Sequence, residues 1–155
     1  MLRERQLIPP LTLRTPEGRV VRAWDFKQKK NLVIAFLDAE CAPCEEFLKR
    51  VIGGAAELRA RSAVALFLIM ELPAPGISDS LPADVIVGSD MPGRAARRFF
   101  GDAALADGTN CRGVFVADRY GELLAQWILR SHEFPPFAEI EKWLDHAAIA
   151  CDGCG

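Results

Sequence analysis

The sequence predicts an α/β domain built around two buried strands. Residues 31–37 and 63–70 are almost entirely apolar, which is typical of strands covered on both faces. Between them, residues 43–58 carry apolar side chains at helical spacing, which predicts an amphipathic helix. Strand, helix and strand in alternation are characteristic of α/β domains. The chain of 155 residues is long enough for one such domain with its own core.

The elements around the first buried strand are predicted from local signals. Residues 11–15 and 20–22 flank the turn sequence Pro-Glu-Gly-Arg, which predicts a β-hairpin. Residues 24–30 predict a short helical turn. Within the helix that follows the strand, Gly53 and Gly54 each cost up to about 1 kcal/mol relative to Ala. We therefore expect a kink or an early helix end at this pair.

The second half of the chain predicts further strands and helices separated by loops. Residues 72–82 contain three prolines and a glycine, and this composition predicts a loop long enough to be functional. A short basic helix with solvated charges is expected after the third strand. The predicted elements, in chain order, are loop 72–82, strand 84–87, helix 91–100, loop 102–110, strands 113–117 and 123–128 as a hairpin, and helix 137–149.

Two cysteines lie where the first buried strand passes into the helix. Pro43, between Cys41 and Cys44, suits the first helical position because its missing N–H would have no partner there. A helix N-terminus stabilises a thiolate, although Glu45 and Glu46 oppose it. Two thiols at this spacing can close and reopen a disulfide. The sequence therefore predicts a redox dithiol, with Cys41 reactive and Cys44 deeper; two ordinary buried cysteines are the alternative.

Composition restricts the class of function. The formal net charge of −2 and the average share of charged residues argue against nucleic acid as a main partner. The first ten residues lack an apolar stretch of signal-peptide length, and no run approaches membrane-spanning length. These features predict a cytoplasmic protein without a membrane partner. Five cysteines in a reducing compartment indicate redox or metal chemistry rather than structural cross-links.

Several segments resemble one superfamily. The segment NLVIAFLDAECAPC resembles the strand and C-x-P-C motif of thioredoxin-like proteins. DVIVGSDMPGRAARRFFGD and RGVFVADRYGEL resemble segments of the alkyl hydroperoxide reductase/thiol-specific antioxidant branch, which includes the peroxiredoxins, and residues 11–30 resemble its N-terminal hairpin. The resemblance implies a thioredoxin fold, which has a central mixed sheet, helices on both faces and here an N-terminal β-hairpin extension.

The chain departs from both branches at the site. Peroxiredoxins carry a Thr three residues before the peroxidatic Cys, where this chain has Asp38 before Cys41, and Cys41 before Cys44. Thioredoxins place a cis-proline opposite the dithiol, and the matching position here is Arg112, as in peroxiredoxins. The resemblance implies that Arg112 stabilises a thiolate or holds an anionic or peroxide substrate. A salt-bridging Arg112, and Cys111 as a small apolar residue, are the alternatives.

A second C-x-x-C pair, Cys151 and Cys154, closes the chain. We divide the sequence into a thioredoxin-like domain, 1–150, and a tail, 151–155. The tail pair is predicted to relay electrons to the first pair or to resolve it. The alternatives are half of a zinc site shared with the first pair, with His132 or His146 as further ligands, and an incidental tail.

The predicted function is thiol-disulfide oxidoreductase, with Cys41, Cys44 and Arg112 as catalytic residues. Thiol peroxidase is the first alternative, and a zinc-binding or interaction module on the same scaffold is the second. The expected partners are a protein or low-molecular-weight disulfide, or a peroxide, and a reducing dithiol. A homodimer is one expected assembly. The prediction includes no cofactor and no bound metal.

Overall fold

The computed structural model describes residues 2–3, 5–38, 41–69, 81–90, 94–101, 112–130 and 133–152, the last five by their backbone only. A short 3-10 helix, Ala23–Phe26, lies where one helical turn was predicted. The strands are β1 Thr12–Arg14, β2 Val20–Arg22, β3 Asn31–Leu37, β4 Ala63–Ile69, β5 Val85–Ser89, β6 Gly113–Ala117 and β7 Leu123–Ile128. The helices are α1 Ala42–Gly53, α2 Ala55–Ala60, α3 Arg94–Phe100 and α4 Phe137–Asp152.

All seven described strands form one mixed sheet in the order β2-β1-β5-β4-β3-β6-β7. β3, β4 and β5 run parallel, while β6 pairs antiparallel with β3 and β7 with β6. The predicted N-terminal hairpin is confirmed as β1 and β2, and it extends the sheet beyond β5. Every residue of β3 is buried, which is consistent with its apolar run from Leu32 to Leu37.

Helices cover both faces of the sheet, as predicted. Alternate residues of β3 point to opposite faces, so Val33 and Ala35 join a core formed with α1, α2 and α4. Ile34 and Phe36 join a second core formed with α3 and the hairpin. In the second core the ring of Phe36 lies 5.2 Å from that of the fully buried Phe99. Aromatic packing of this kind fixes α3 against the sheet.

The predicted interruption at Gly53 and Gly54 is confirmed, because α1 ends at Gly53 and α2 begins at Ala55. The packing of α4 gives the second reason for a glycine here. A Cβ atom at Gly54 would lie 2.5 Å from the ring of Phe137, closer than any side chain tolerates. The break therefore provides the space into which the first residue of α4 packs.

Element boundaries differ from the sequence prediction at a few ends. β5 runs from Val85 to Ser89 rather than over 84–87, because Gly88 and Ser89 continue the pairing with β4. α4 continues to Asp152 rather than ending at 149, since no residue between them breaks a helix. Residue 70, most of the predicted loop 72–82, residues 91–93 and the predicted loop 102–110 lie outside the described residues.

Candidate redox site

The site lies between the end of β3 and the start of α1. Cys41 has an extended backbone, with φ −126° and ψ 108°, and occupies the N-cap position of α1. Its sulfur accepts a hydrogen bond from the backbone N–H of Cys44 at 3.2 Å. An N-cap side chain normally offers oxygen to one of the four unpaired N–H groups of the first turn. Here sulfur takes that role, with Ala42 first in the helix and Pro43 second.

Cys41 and Cys44 form a disulfide, with their Cα atoms 5.2 Å apart. This separation lies within the usual range of about 4.4–6.8 Å. Cys44 is 2% exposed and Cys41 7%, so the predicted order of depth is confirmed, although Cys41 is itself mostly covered. The structure thus brings together the two cysteines that the sequence predicts as the redox pair.

Arg112 lies at the same end of β3 as the disulfide. It directly precedes β6, whose Gly113 pairs with Phe36, so its backbone lies beside the carboxyl end of β3. Its Nη1 donates to Oδ2 of Asp38 at 2.7 Å. The ion pair corresponds to the salt-bridging alternative, while a contact of Arg112 with substrate stays a prediction.

The Asp38–Arg112 pair is largely desolvated, with side chains 9% and 15% exposed. Among the described residues, no acceptor binds the buried Nε of Arg112. A buried donor without a partner costs free energy, on the order of 1–3 kcal/mol. It also leaves one N–H of the guanidinium unused, at the end of the sheet that carries the disulfide. The charge of Arg112 is thus balanced by Asp38, and its Nε is shielded from solvent.

Sequence reasoning missed two features of the site. In the sequence comparison Asp38 stands only at the Thr position of peroxiredoxins, yet it follows β3 directly while Arg112 precedes the antiparallel β6. That register would have placed the two side chains together. Phe134 was also missed: its ring stacks on Phe47 with centroids 4.6 Å apart, one helical turn after Cys44. No spacing rule links Phe134 to the site, because it lies in the connection before α4.

The remaining cysteines are not brought to this site by the described structure. α4 begins near α1, where Phe137 packs against Arg50, and Asp145 further along pairs with Arg61 just before β4. Helix α4 therefore runs away from the disulfide. Phe137 and Cys151 are 14 positions apart in the helix, a distance of about 21 Å along its axis. Cys154, Cys111 and His132 lie outside the described residues.

This direction of α4 bears on the two uses proposed for the tail. One zinc ion cannot take ligands from both ends of the domain, so the geometry does not support a site shared by Cys41, Cys44 and Cys151 in one chain. Within the described ranges, no three His, Cys, Asp or Glu side chains are grouped to hold a metal. The relay through Cys151 and Cys154 stays a prediction.

No described helix is both long and apolar enough to cross a membrane. Comparison by sequence finds no matching family model and no matching curated protein.

Solved structures resemble this chain over nearly its whole length. A provisionally assigned thiol:disulfide interchange protein DsbE from Chlorobium tepidum superposes with a TM-score of 0.67 at 20% identity, covering 97% of this chain and 98% of its own. The reduced 2-Cys peroxiredoxin of Plasmodium vivax gives 0.76 at 12% identity, covering 96% and 98%. A peroxiredoxin-like protein from Aquifex aeolicus gives 0.76 at 19% identity, covering 94% and 88%. The chain therefore has the thioredoxin fold, with a C-x-x-C disulfide at the carboxyl end of its central strand.

Proposed function

We propose that this protein is a thiol-disulfide oxidoreductase whose redox group is the Cys41/Cys44 pair. The observation that carries the proposal is the disulfide at the N-terminus of α1, directly after the innermost strand. Ligands of open α/β sheets bind at the carboxyl ends of strands, and this disulfide lies there. The resemblance to a structure described as a thiol:disulfide interchange protein is consistent with this chemistry.

The reaction begins with the reduced pair and a substrate disulfide. The Cys41 thiolate attacks one substrate sulfur, a Cys41–substrate bond forms, and the other substrate sulfur leaves as a thiolate that takes up a proton. The Cys44 thiolate then attacks Sγ of Cys41 and releases the second substrate sulfur. Two electrons and two protons pass to the substrate, and the protein is left with the Cys41–Cys44 disulfide. An external dithiol restores the reduced pair by the reverse exchange.

The two cysteines take different roles because their surroundings differ. Cys41 is the more exposed and lies at the N-cap, where the helix dipole favours a negative charge. Cys44 is buried one turn in, within reach of Cys41 alone among the described cysteines. We assign the attack on substrate to Cys41 and the resolving step to Cys44. The cytoplasmic location and the reducing dithiol partner are parts of the same proposal.

A trapping experiment tests the assignment. After full reduction, the wild-type protein and the Cys44→Ser variant are treated with 5,5′-dithiobis(2-nitrobenzoate), and each cysteine is followed by peptide mass spectrometry. We expect Cys44→Ser to keep a stable 5-thio-2-nitrobenzoate adduct on Cys41. In the wild-type protein Cys44 should displace that adduct and leave the Cys41–Cys44 disulfide. An adduct that persisted on Cys41 in the wild-type protein would contradict the resolving role of Cys44.

Thiol peroxidase is the second candidate, and Arg112 favours it. Its position beside the carboxyl end of β3 places a guanidinium near the disulfide, and two of the similar structures are a peroxiredoxin and a peroxiredoxin-like protein. Hydrogen peroxide and dimedone distinguish the functions in Cys44→Ser. A sulfenate on Cys41 that forms at least about 100 times faster than on a free thiol would favour the peroxidase. Oxidation at the rate of a free thiol favours disulfide exchange.

A further inference from the structure

A cleft lies at the end of the sheet opposite the disulfide. Its walls are residues 7–12, the 3-10 helix Ala23–Phe26 and the turn 118–121 between β6 and β7, and it encloses about 260 Å³. Leu32, near the amino end of β3, forms part of the cleft lining, whereas Cys41 follows the carboxyl end of that strand. Leu32 and Leu37 are five positions apart in the strand, which separates the two ends by about 17 Å. The cleft is therefore distinct from the redox site.

Backbone hydrogen bonds hold the walls of the cleft together. The N–H of Ile8 donates to the carbonyl of Gly121 at 2.8 Å, and the N–H of Ala23 donates to that of Leu11 at 3.0 Å. These bonds join the N-terminal segment to the β6–β7 turn on one side and to the 3-10 helix on the other. A cavity whose walls are joined in this way is formed before any ligand binds.

The loop beside the cleft contains a strained residue. Gln28 has a φ of 67°, in a region that residues with side chains rarely occupy. Its N–H donates to the carbonyl of Arg119, one of the cleft residues, at 2.6 Å. Such strain persists only where the surrounding structure requires it, and it is common at binding sites. The hydrogen bond joins the loop that follows the 3-10 helix to the turn between β6 and β7.

Exposed apolar side chains are concentrated at this cleft. Of the four large hydrophobic residues that are exposed in the described part of the chain, three line it: Leu7, Trp24 and Tyr120. Trp24 is 71% exposed. Trp is usually well buried, and grouped apolar exposure is typical of binding surfaces.

The ionisable lining of the cleft is mostly positive, although the whole chain has a formal charge of −2. Four cations and one carboxylate line it, namely Arg22, Lys27, Lys30, Arg119 and Asp118. The carboxylate is engaged within the turn, because its Oδ1 accepts the backbone N–H groups of Tyr120 and Glu122 at 2.9 Å each. These bonds favour its charged form, so the four cations and one carboxylate leave the lining with a formal charge of +3.

Two of the cations lie on the exposed rings. Nζ of Lys27 is 4.1 Å from the centre of the Trp24 ring, and the guanidinium of Arg119 is 5.3 Å from that of Tyr120. Each pair places an aromatic face and a positive charge side by side at the mouth of an apolar cavity. A ligand that satisfies both has a flat apolar body and a negative group.

We propose that this cleft binds a small aromatic organic anion, such as a carboxylate or sulfonate of one or two rings. The ring system fills the apolar cavity against Leu7, Trp24 and Tyr120, and the anionic group lies by Lys27 and Arg119. The volume of about 260 Å³ is just below the range of about 300–1,000 Å³ found for drug-sized ligands, which limits the ligand to this size. The site is independent of the function proposed for the dithiol.

The test uses 2-naphthoate as the probe and the indole N–H resonances of ¹⁵N-labelled protein as the readout. Trp127 in β7 and Trp143 in α4 lie outside the cleft and serve as internal references. We expect a saturable shift of the Trp24 resonance alone. The neutral 2-naphthamide should bind about three- to fivefold more weakly, as expected for the loss of one exposed charge pair. Acetate, which lacks the ring system, should not bind.

Matched variants locate the binding. Lys27 lines the cleft, whereas Lys29, two residues away, lines only the adjoining surface. Lys27→Gln should weaken 2-naphthoate binding about three- to fivefold, while Lys29→Gln leaves it within about twofold. Leu7→Asp, which places a carboxylate against the ligand, should weaken binding at least about tenfold. Cys41→Ser should not change the binding, because Cys41 lies at the other end of β3.

Several outcomes would overturn the proposal. These are the absence of a saturable Trp24 shift, equal affinities for 2-naphthoate and 2-naphthamide, or equal effects of Lys27→Gln and Lys29→Gln. An acidic aromatic peptide that shifts the Trp24 resonance where 2-naphthoate does not would also overturn it, in favour of a protein partner. Unchanged Trp127 and Trp143 resonances in each variant show that the fold is retained.

Discussion

The chain carries two cysteine pairs with the same spacing at opposite ends of helices. Cys41 caps the N-terminus of α1, and Cys44 lies in the first turn. Cys151 lies in the last turn of α4, the helix that ends at Asp152. The backbone dipoles of a helix place partial positive charge at its N-terminus and partial negative charge at its C-terminus. The first pair is therefore placed to stabilise a thiolate, and the helix end that carries Cys151 opposes one.

The comparison shows that C-x-x-C spacing by itself does not define a redox site. Spacing allows two sulfurs to meet, whereas helix polarity, depth and the strand before the helix decide which sulfur is reactive. The first pair has all three features, and Pro43 within it favours a helix start. The second pair has Gly153 between its cysteines, which ends a helix rather than beginning one.

Removing one cysteine from each pair should affect turnover very differently. We expect Cys41→Ser to lower the rate of dithiothreitol-dependent insulin reduction at least about 100-fold, because it removes the proposed nucleophile. Cys151→Ser should change that rate less than about threefold. Equal losses in the two variants would show that the tail pair takes part in every turnover, and would contradict the contrast drawn above.

The alkylation rates of the reduced cysteines should follow helix polarity. In fully reduced protein at pH 7, we expect iodoacetamide to modify Cys41 at least about ten times faster than Cys151, because only the thiolate reacts and only Cys41 lies at a helix N-terminus. Peptide mass spectrometry at short reaction times measures both rates in one sample. Urea-unfolded protein is the control, since both rates should converge there.

The Asp38–Arg112 pair should adjust the reactivity of Cys41 in opposite directions. Arg112→Gln leaves the carboxylate of Asp38 unbalanced near the thiolate, so the alkylation of Cys41 at pH 6.5 should slow about threefold. Asp38→Asn leaves the guanidinium unbalanced and should speed it by a similar factor. Each single variant also leaves a buried charge without its partner, which should lower the free energy of unfolding by about 3–5 kcal/mol.

The double variant Asp38→Asn/Arg112→Gln serves as the control for this stability loss. It removes both charges, so it should unfold at higher urea concentration than either single variant while alkylating at a rate close to wild type. Rate changes of the same sign in both single variants would indicate that loss of folding, rather than charge, explains them.

Removing the side chain that caps α3 should have a smaller effect on stability. This cap serves as a comparison for the sulfur cap of α1. Both carboxylate oxygens of Asp90 accept backbone N–H bonds, from Ala95 at 3.0 Å and Ala96 at 2.8 Å. Asp90→Ala should lower the free energy of unfolding by about 1 kcal/mol, measured by urea denaturation. Asp90→Asn, which keeps an acceptor, should lose less than that.

The stability contributed by Asp90 should also depend on pH. Burial raises the pKa of Asp90 above its ordinary value of 3.8, against the lowering effect of its two backbone hydrogen bonds. Between the unfolded and folded pKa values the folded state binds more protons, so stability from this group falls as the pH rises through that interval. The unfolding free energy of the wild type minus that of Asp90→Asn should therefore decrease as the pH rises from below 3.8. A difference that increased would contradict this sign.

Most of the fold could be predicted from the sequence because the buried strands are unambiguous. β3, β6 and β7 have the predicted bounds, and the break in the first helix falls at the predicted glycines. These features are local: apolar runs of strand length and the low helix propensity of glycine do not depend on distant residues. The end of α4 was missed because an alanine-rich segment gives no local stop before Gly153.

The parts of the site that could not be predicted depend on contacts between distant segments. Cys41, Cys44 and the order of their burial follow from one short motif. The ion pair of Asp38 with Arg112 and the stacking of Phe134 on Phe47 depend on strand register and on the direction of α4. The cleft at the other end of β3 is formed by residues 7–12, 22–32 and 118–121, which are separate in the sequence, so no single motif predicts it.

The sulfur cap of α1 links the redox state of the protein to the strength of a helix end. In the disulfide, Sγ of Cys41 is a neutral acceptor for the N–H of Cys44. After reduction the same atom can become an anion, and charged acceptors form hydrogen bonds roughly twice as strong as neutral ones. Gaining electrons therefore tightens the first turn of the helix instead of loosening it. One amide proton therefore helps to set how readily the Cys41 thiol ionises, and with it how fast the pair exchanges with a substrate disulfide.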